Sequence, residues 1–295
     1  MKRDEVVKLA FSWDRPLQLW GLVKSILDNT DLKAEQIRCI CKSSDEKYRR
    51  LYDVVGAELG CRIVHQRNYL CELILELSQE ADFVSLAVDD MMYFRGASFS
   101  EAIEVLREEP QVCIWSWRIG ADLQPNKDLM LRNTHWLVPH ATAVMPYGYV
   151  FHTDGSVFRK SDLEQWLGFI PRRVRGAFNL NHLEAYLAEL TRQARQALRI
   201  GKLHAGPLVQ ACVTWQINKV SDVGGAGFCE TEQTRPDSLR EVFENGGRLD
   251  YSALYARTDW LLECNENCES PPTHVAATRR ASNLWASLMR RRAPV

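Results

Sequence analysis

Along residues 5–120, short apolar runs alternate with segments whose apolar residues recur every three or four positions. The run EVVKLAFS (5–12) predicts a strand. In PLQLWGLVKSILDN (16–29) the apolar positions 17, 19, 22, 23, 26 and 27 share one helical face. QIRCICK (36–42) predicts a strand, and SDEKYRRLYDVVGAELG (44–60) a helix with Gly60 as its stop. The pattern repeats with a strand at 61–66, a helix at 70–81, a strand at 82–90, a helix at 98–110 and a strand at 111–119. Ser98, followed three residues later by Glu101, fits a capping box. Regular strand–helix alternation predicts an α/β fold with a mainly parallel central sheet flanked by helices on both faces. In such sheets ligands bind outside the carboxyl ends of the strands.

The second half is less regular. Residues 120–136 read as a loop or excursion across the sheet edge, and 152–169 as a turn, a short strand and a helix. NLNHLEAYLAELTRQARQALRIG (179–201) predicts a long amphipathic helix, and SLREVFENGG (238–247) a short one. GGAG (224–227) is a flexible break, and the stretch after residue 264 reads as linker.

The strand at 82–90 runs into FVSLAVDDMMYFRG, where Asp89 and Asp90 stand side by side. Two adjacent carboxylates at the end of a buried strand repel each other and lose hydration, which costs several kcal/mol unless something compensates. A cation, a capped helix or exposure to solvent each supplies compensation. The pattern alone leaves all three open. It does place the pair with Ser12-Trp13-Asp14-Arg15 after the first strand and Ser43-Ser44-Asp45 after the second, so these polar clusters converge on one crevice.

Composition narrows the classes. With 37 basic and 38 acidic residues the net charge is −1, so no overall field draws in nucleic acid, and no nucleic-acid partner is expected. A chain 46% hydrophobic and 25% charged is ordinary for a globular protein. No apolar run approaches the roughly 18–20 residues that span a bilayer. The opening MKRDEVVKLAFSWDRP has charges where a secretory signal needs an apolar segment, so a cytoplasmic location is expected. Most of the nine cysteines sit in apolar runs as small hydrophobes. Cys264 and Cys268 lack a second pair at zinc-site spacing. The tail from 278 carries five arginines, with Leu284, Trp285, Leu288 and Met289 at helical spacing. It reads either as a solvated tail or as a peripheral contact with the inner face of an anionic membrane.

KLAFSWDRPLQLWGLVKSILDN resembles the opening of the family-2-like glycosyltransferases of the GT-A fold. CKSSDE after the second strand, FVSLAVDDMMYF as an acidic metal motif, and GSVFRKSDLEQWLGF followed by NLNHLEAYL continue the likeness in order over roughly residues 5–200. Two departures stand out: Val88 occupies the place of the first Asp of the acidic motif, and Glu184 is the one carboxylate of NHLE. The resemblance implies a metal-dependent transferase moving a sugar from a nucleoside-diphosphate sugar, chiefly a UDP-sugar, to a glycan or other acceptor hydroxyl. A sugar nucleotidyltransferase and a non-catalytic carbohydrate- or partner-binding relative are the alternatives. It implies a GT-A-like catalytic domain at 1–228, with a nucleotide-sugar half at 1–125 and an acceptor half at 126–228. Residues 229–295 form a helical C-terminal extension with a basic tail.

On this reading the donor meets Ser12, Trp13, Asp14, Arg15, Ser44, Asp45, Asp89 and Arg159. A divalent Mn²⁺ or Mg²⁺ ion is held by Asp89 and Asp90, since such ions take few carboxylates together with substrate phosphates. Neighbouring residues at a strand end point to opposite sides, so one Asp ligates while the other orients ribose or a basic partner; Asp90 is the stronger ligand. His204 and His274 are candidate third ligands. Glu184 is the candidate catalytic base, ionised at neutral pH by its first-turn position, with His182 as fallback and Asp154 as a third choice. Plainer roles remain open: Ser44 and Asp45 as helix caps, Asp14 and Arg15 as a local turn and ion pair, and Arg159 as a solvated strand end. Trp13, Trp136 and Trp166 fall near predicted loops, where an aromatic face stacks on a base or sugar.

Overall fold

A computed structural model of the chain describes residues 4–66, 70–122, 128–139, 151–171, 180, 183–187, 203–214, 235–249 and 289–291. Val6, Ala10, Cys39 and Cys41 feed one core cluster, whereas Val7, Leu9, Phe11 and Ile40 feed another, so both faces of the sheet are apolar. β1 (Asp4–Trp13), β2 (Ile37–Lys42), β3 (Arg62–His65) and β4 (Ala81–Val88) lie parallel in the order β3-β2-β1-β4. β9 (Ser156–Arg159) inserts antiparallel between β4 and β6 (Val112–Ser116). β10 (Leu203–Pro207) runs parallel to β6, and antiparallel β8 (His135–Pro139) and β7 (Met130–Leu131) complete the edge. Among the described residues this nine-stranded sheet is mainly parallel, as the alternation predicts.

Helices α1 (Pro16–Asn29), α2 (Glu46–Leu59) and α4 (Phe99–Glu108) cover one face, with Leu22, Val23, Tyr52, Val55, Ile103 and Leu106 in the core. α3 (Leu70–Ser78), α5 (Lys160–Gly168) and the helical residues 183–187 cover the other. Their ends follow local chemistry. The Ser98 hydroxyl accepts from the Glu101 N–H at 3.2 Å, and Asp31 accepts from the Phe99 and Ser100 N–H groups at 2.7 and 3.0 Å. Gly60 ends α2 at φ 72°, where a side chain is strained.

The structure differs from the sequence pattern in three places. The strand expected over 82–90 ends at Val88, and β5 (Met91–Tyr93) pairs with β11 (Cys212–Thr214) in a separate ladder. The excursion expected at 120–136 includes β7 and the start of β8. In the extension, α6 (Pro236–Glu244) is joined by β12 (Gly247–Leu249) paired with β13 (Met289–Arg291), so residues 289–291 are extended rather than helical. Residues 264–288, with the Cys264–Cys268 pair, lie outside the described residues. Leu239, Phe243 and Leu249 join the α1 core cluster, and Arg248 pairs with Glu58 of α2. No helix among the described residues is long and apolar enough to cross a membrane.

One core position breaks the apolar pattern. Lys8, on the face of β1 shared with Val6 and Ala10, is fully buried. Its ammonium donates to the Ser85 hydroxyl at 2.8 Å, the Tyr93 hydroxyl at 2.9 Å and the Leu86 carbonyl at 3.4 Å. Burial lowers its pKa from 10.5 to about 7, against a smaller opposing effect of Cys212. Between pH 7 and 10.5 the unfolded chain therefore binds a proton that the folded chain does not, and stability rises with pH through this window. Lys8→Met should remove that contribution, so its urea midpoint gains less than the wild type's between about pH 7 and about pH 10. Parallel pH dependence of the two proteins would contradict it.

Candidate active site

The chain steps outward from β1 to β2 to β3, then returns to lay β4 on the other side of β1. The ends of β1 and β4 flank this reversal, the place where open α/β sheets bind ligands. Phe11 pairs with Val88, and the Asp89 N–H donates to the Phe11 carbonyl at 3.0 Å, so the acidic pair abuts the first loop. The end of β2 adds Ser44 and Asp45, and the end of β6 adds Arg118. Because β9 is antiparallel, its beginning lies at this same end, with Ser156 paired to Leu86 and Ser116. The turn 152–155 is thereby set against the acidic pair. Gly155 sits there at φ 64°, and a Cβ would fall 2.7 Å from the Cys212 sulfur.

Both carboxylates are buried, and they take different partners. Asp89 accepts from the Ser12 hydroxyl at 2.7 Å and from the Arg15 guanidinium at 3.3 Å. Burial raises its pKa while Arg15 and Ser12 pull it back. The Tyr52 hydroxyl of α2 bonds Ser12 at 2.8 Å and accepts the Arg15 N–H at 2.9 Å, so α2 holds the loop in place. Asp14 takes the left-handed region at φ 54°, tolerable for Asp, and accepts the Ser44 N–H at 2.8 Å. Trp13 is left 52% exposed, with the Lys42 ammonium 3.7 Å from its ring centroid.

Asp90 has no such support. Its Oδ1 is buried without a hydrogen-bond partner. Burial, then the neighbouring charges of Asp154 and Asp89, push its pKa to about 8. Asp154 itself accepts from Arg118 at 2.5 Å and from the Thr214 hydroxyl at 2.9 Å. Beyond it, Glu184 accepts from the Thr153 hydroxyl at 2.7 Å. Burial and then Asp154 raise the Glu184 pKa to about 7, which overturns the expectation that its first-turn position lowers it. Desolvation beside a second carboxylate outweighs the helix terminus. His152, two residues before Asp154, is buried, and burial holds its pKa well below the usual imidazole value.

Ser12, Trp13, Asp14, Arg15, Asp89, Asp90 and Glu184 are thus gathered at the carboxyl ends of the strands. Ser44 meets them through Asp14, whereas Asp45 caps α2 by accepting the Tyr48 N–H at 2.9 Å. Arg159 is not brought in. It ends β9 opposite Phe83, near the start of β4, and donates to the Val112 carbonyl at 2.6 Å and to Asp162 at 3.0 Å. The antiparallel course of β9 carries it to the opposite end of the strands. Trp136 and Trp166 are fully buried in β8 and α5, which leaves Trp13 as the exposed ring of the three. His204 is buried in β10, its ring 5.2 Å from that of Trp136. His182 and His274 lie outside the described residues. Among the described residues no group of three or more His, Cys, Asp or Glu is placed to hold a metal ion. Arg118 and Thr153 escaped sequence reasoning; Arg118's signal was its place at the carboxyl end of a predicted strand.

No protein-family model matches the chain, and no curated protein matches it. Among solved structures, the chain is similar to S. aureus TarS at 9% identity and TM-score 0.46, over 72% of this chain and 37% of that one. It is similar to TarS 1–349 in complex with UDP-GlcNAc at 10% identity and TM-score 0.48, over 82% and 72% of the two chains. A third likeness is glucosyl-3-phosphoglycerate synthase from Mycobacterium tuberculosis, at 11% identity and TM-score 0.35 over 56% and 59%. The chain thus spans 37% of the TarS chain that it matches. These are distant likenesses of shape and assign no activity.

The Arg15–Asp89 pair, with both side chains about 7% exposed, makes the first loop sensitive to substitution. Arg15→Ala strands a buried carboxylate and should lower stability by about 3 kcal/mol in urea unfolding. Adding Asp89→Asn to that variant should recover part of the loss. A double variant no more stable than Arg15→Ala would show that the charge is not what matters.

Proposed function

We propose that this chain is a glycosyltransferase that moves a sugar from a nucleoside-diphosphate donor, a UDP-sugar, to an acceptor hydroxyl. The catalytic unit is residues 1–228, with 229–295 as an extension whose residues 235–249 pack against α1 and α2. The observation that carries the reading is the buried, unpartnered Oδ1 of Asp90 at the strand-order reversal, with Glu184 held on its far side through the 152–155 turn. A carboxylate oxygen buried without a donor fits a divalent cation, an ion of the kind that takes a few carboxylates and completes its shell with phosphates and water. When bound there, Mn²⁺ or Mg²⁺ would neutralise the charge developing on the departing diphosphate.

The protein's own groups divide the remaining work. Arg15 and Ser12 keep Asp89 turned toward the first loop, where it faces the nucleoside rather than the reacting bond. Trp13 offers an exposed aromatic face for the base. Glu184, oriented by Thr153, takes the proton from the acceptor hydroxyl as it attacks the sugar carbon in an inverting transfer. A base with pKa about 7 combines sufficient basicity with substantial ionisation near neutrality. A nucleotidyltransferase needs loop N–H groups free for phosphates. Here the Asp14 and Arg15 N–H groups are bonded to the Lys42 carbonyl and Tyr52, which favours the transferase.

Two measurements test the reading. UDP-sugars at about 100 times their dissociation constant should stabilise the protein by about 2.7 kcal/mol in the presence of Mn²⁺. Asp90→Asn should lose the Mn²⁺-dependent part while staying folded; equal Mn²⁺-dependent stabilisation in both proteins would remove Asp90 from the site. Secondly, transfer should rise with pH through about 7 as Glu184 ionises, with kcat/KM plotted against pH as the readout. Glu184→Gln should retain donor binding, lose at least about 10²-fold in transfer and lose that limb. Wild-type rates in this variant would exclude Glu184 as the base.

A further inference from the structure

Away from the crevice, under α2, two thiols stand within reach of each other. Cys39 on β2 is fully buried, Cys61 just before β3 is 7% exposed, and their sulfurs are 3.6 Å apart. A disulfide has its sulfurs about 2.0 Å apart, so a covalent bond requires an approach of about 1.6 Å. Cys61 follows Gly60, whose N–H donates to the Gly56 carbonyl at 2.9 Å to close α2. Gly56 in turn packs so tightly on this segment that a Cβ there would lie 2.7 Å from Ile63 and 3.2 Å from the Cys61 carbonyl. One helical turn earlier stands Tyr52, which holds Ser12 and the Arg15 N–H.

We propose that Cys39 and Cys61 form a reversible disulfide in response to hydrogen peroxide, and that closing it shifts α2 and thereby the first loop of the candidate active site. Peroxide is small enough to reach Cys61, the more accessible of the two thiols. The hydrogen bond with Cys39 favours the Cys61 thiolate, while that bond and burial keep Cys39 protonated. The Cys61 thiolate attacks one peroxide oxygen, the O–O bond breaks, and the departing hydroxide is protonated to water, leaving a sulfenic acid. Cys39 sulfur then attacks Cys61 sulfur, the S–O bond breaks, and the Cys39 proton leaves with the hydroxide as a second water. Two thiols and one peroxide become one disulfide and two waters. A small dithiol reverses the bond by exchange.

The experiment treats the reduced, folded chain with a slight excess of hydrogen peroxide, blocks remaining thiols and maps tryptic peptides by mass spectrometry. Residues 39–42 and 51–62 should appear joined, with the loss of two hydrogens, and dithiothreitol should separate them. The linkage should persist in Cys41→Ser, which shares the first peptide, and vanish in Cys39→Ser and Cys61→Ser. Peptides that stay separate, or a linkage that survives Cys39→Ser, would overturn the disulfide. Hydrogen exchange reads the coupling: amides of 12–15 and 46–59 should change protection on oxidation of the wild type but not of Cys61→Ser. Unchanged exchange in a fully linked protein would overturn the link to the crevice.

Discussion

The structure turns on burying two adjacent carboxylates where the strand order reverses. Like charges in low dielectric repel strongly, so Asp89 and Asp90 share this place only by facing different surroundings. Asp89 turns to Arg15 and Ser12, and that choice shapes everything on its side. To reach Asp89, Arg15 must stand at the start of α1, and the loop before it bends through Asp14 in the left-handed region. The Asp14 carboxylate then captures the Ser44 N–H, and the Tyr52 hydroxyl saturates what remains of the loop. Asp90 leaves its Oδ1 without a hydrogen-bond partner and lies near a further acid, Asp154, itself paired with Arg118. The site is therefore polarised. Its first-loop side pairs its buried carboxylate with a cation, whereas on its Asp90 side burial and neighbouring acids favour the protonated carboxyl, a balance that a bound cation would reverse.

This division explains what was legible in the sequence. The strand–helix alternation, the Asp45 and Gly60 helix ends and the convergence of Ser12–Arg15 with Asp89–Asp90 rest on local periodicity and on the rule that crevices form at carboxyl ends. Those signals are carried by contiguous residues. Arg159 misled because its place depends on strand direction: in an antiparallel β9 it falls at the opposite end from the turn 152–155. The pattern SVFR looks the same in either orientation. Trp136 and Trp166 misled for a related reason, since a ring beside a predicted loop is still core when the flanking element is a strand or helix that buries it. Arg118 carried no motif at all. Its role arises from Asp154, 36 residues along the chain, which also accepts from Thr214 a further 60 residues on.

The Glu184 pKa shows the limit of reasoning element by element. A first-turn position stabilises a carboxylate by up to about 1 kcal/mol at an exposed site. Packing the same residue against Thr153 and near Asp154 withdraws water and adds a like charge, and each effect favours the proton. Burial wins because it acts on the whole ionised group, whereas the dipole acts only through the first N–H groups. The first-turn argument thus mistook the direction of the Glu184 electrostatics.

α2 connects these parts. Tyr48, Tyr52 and Gly56 recur at four-residue intervals and so lie along one stripe of the helix. Tyr48 donates to Asp237 of the extension at 3.3 Å, Tyr52 grips the first loop, and Gly56 rests on the Cys61 segment. On the same helix Glu58 pairs with Arg248, whose guanidinium lies 4.1 Å from the Phe243 ring centroid. An element held at three points along its length ties those three contacts to one another. The loop that positions Arg15 against Asp89 is therefore referenced to the extension and to the β2–β3 edge as well as to its own strand. That shared reference gives residues 235–249 a bearing on the candidate active site without supplying a side chain to it.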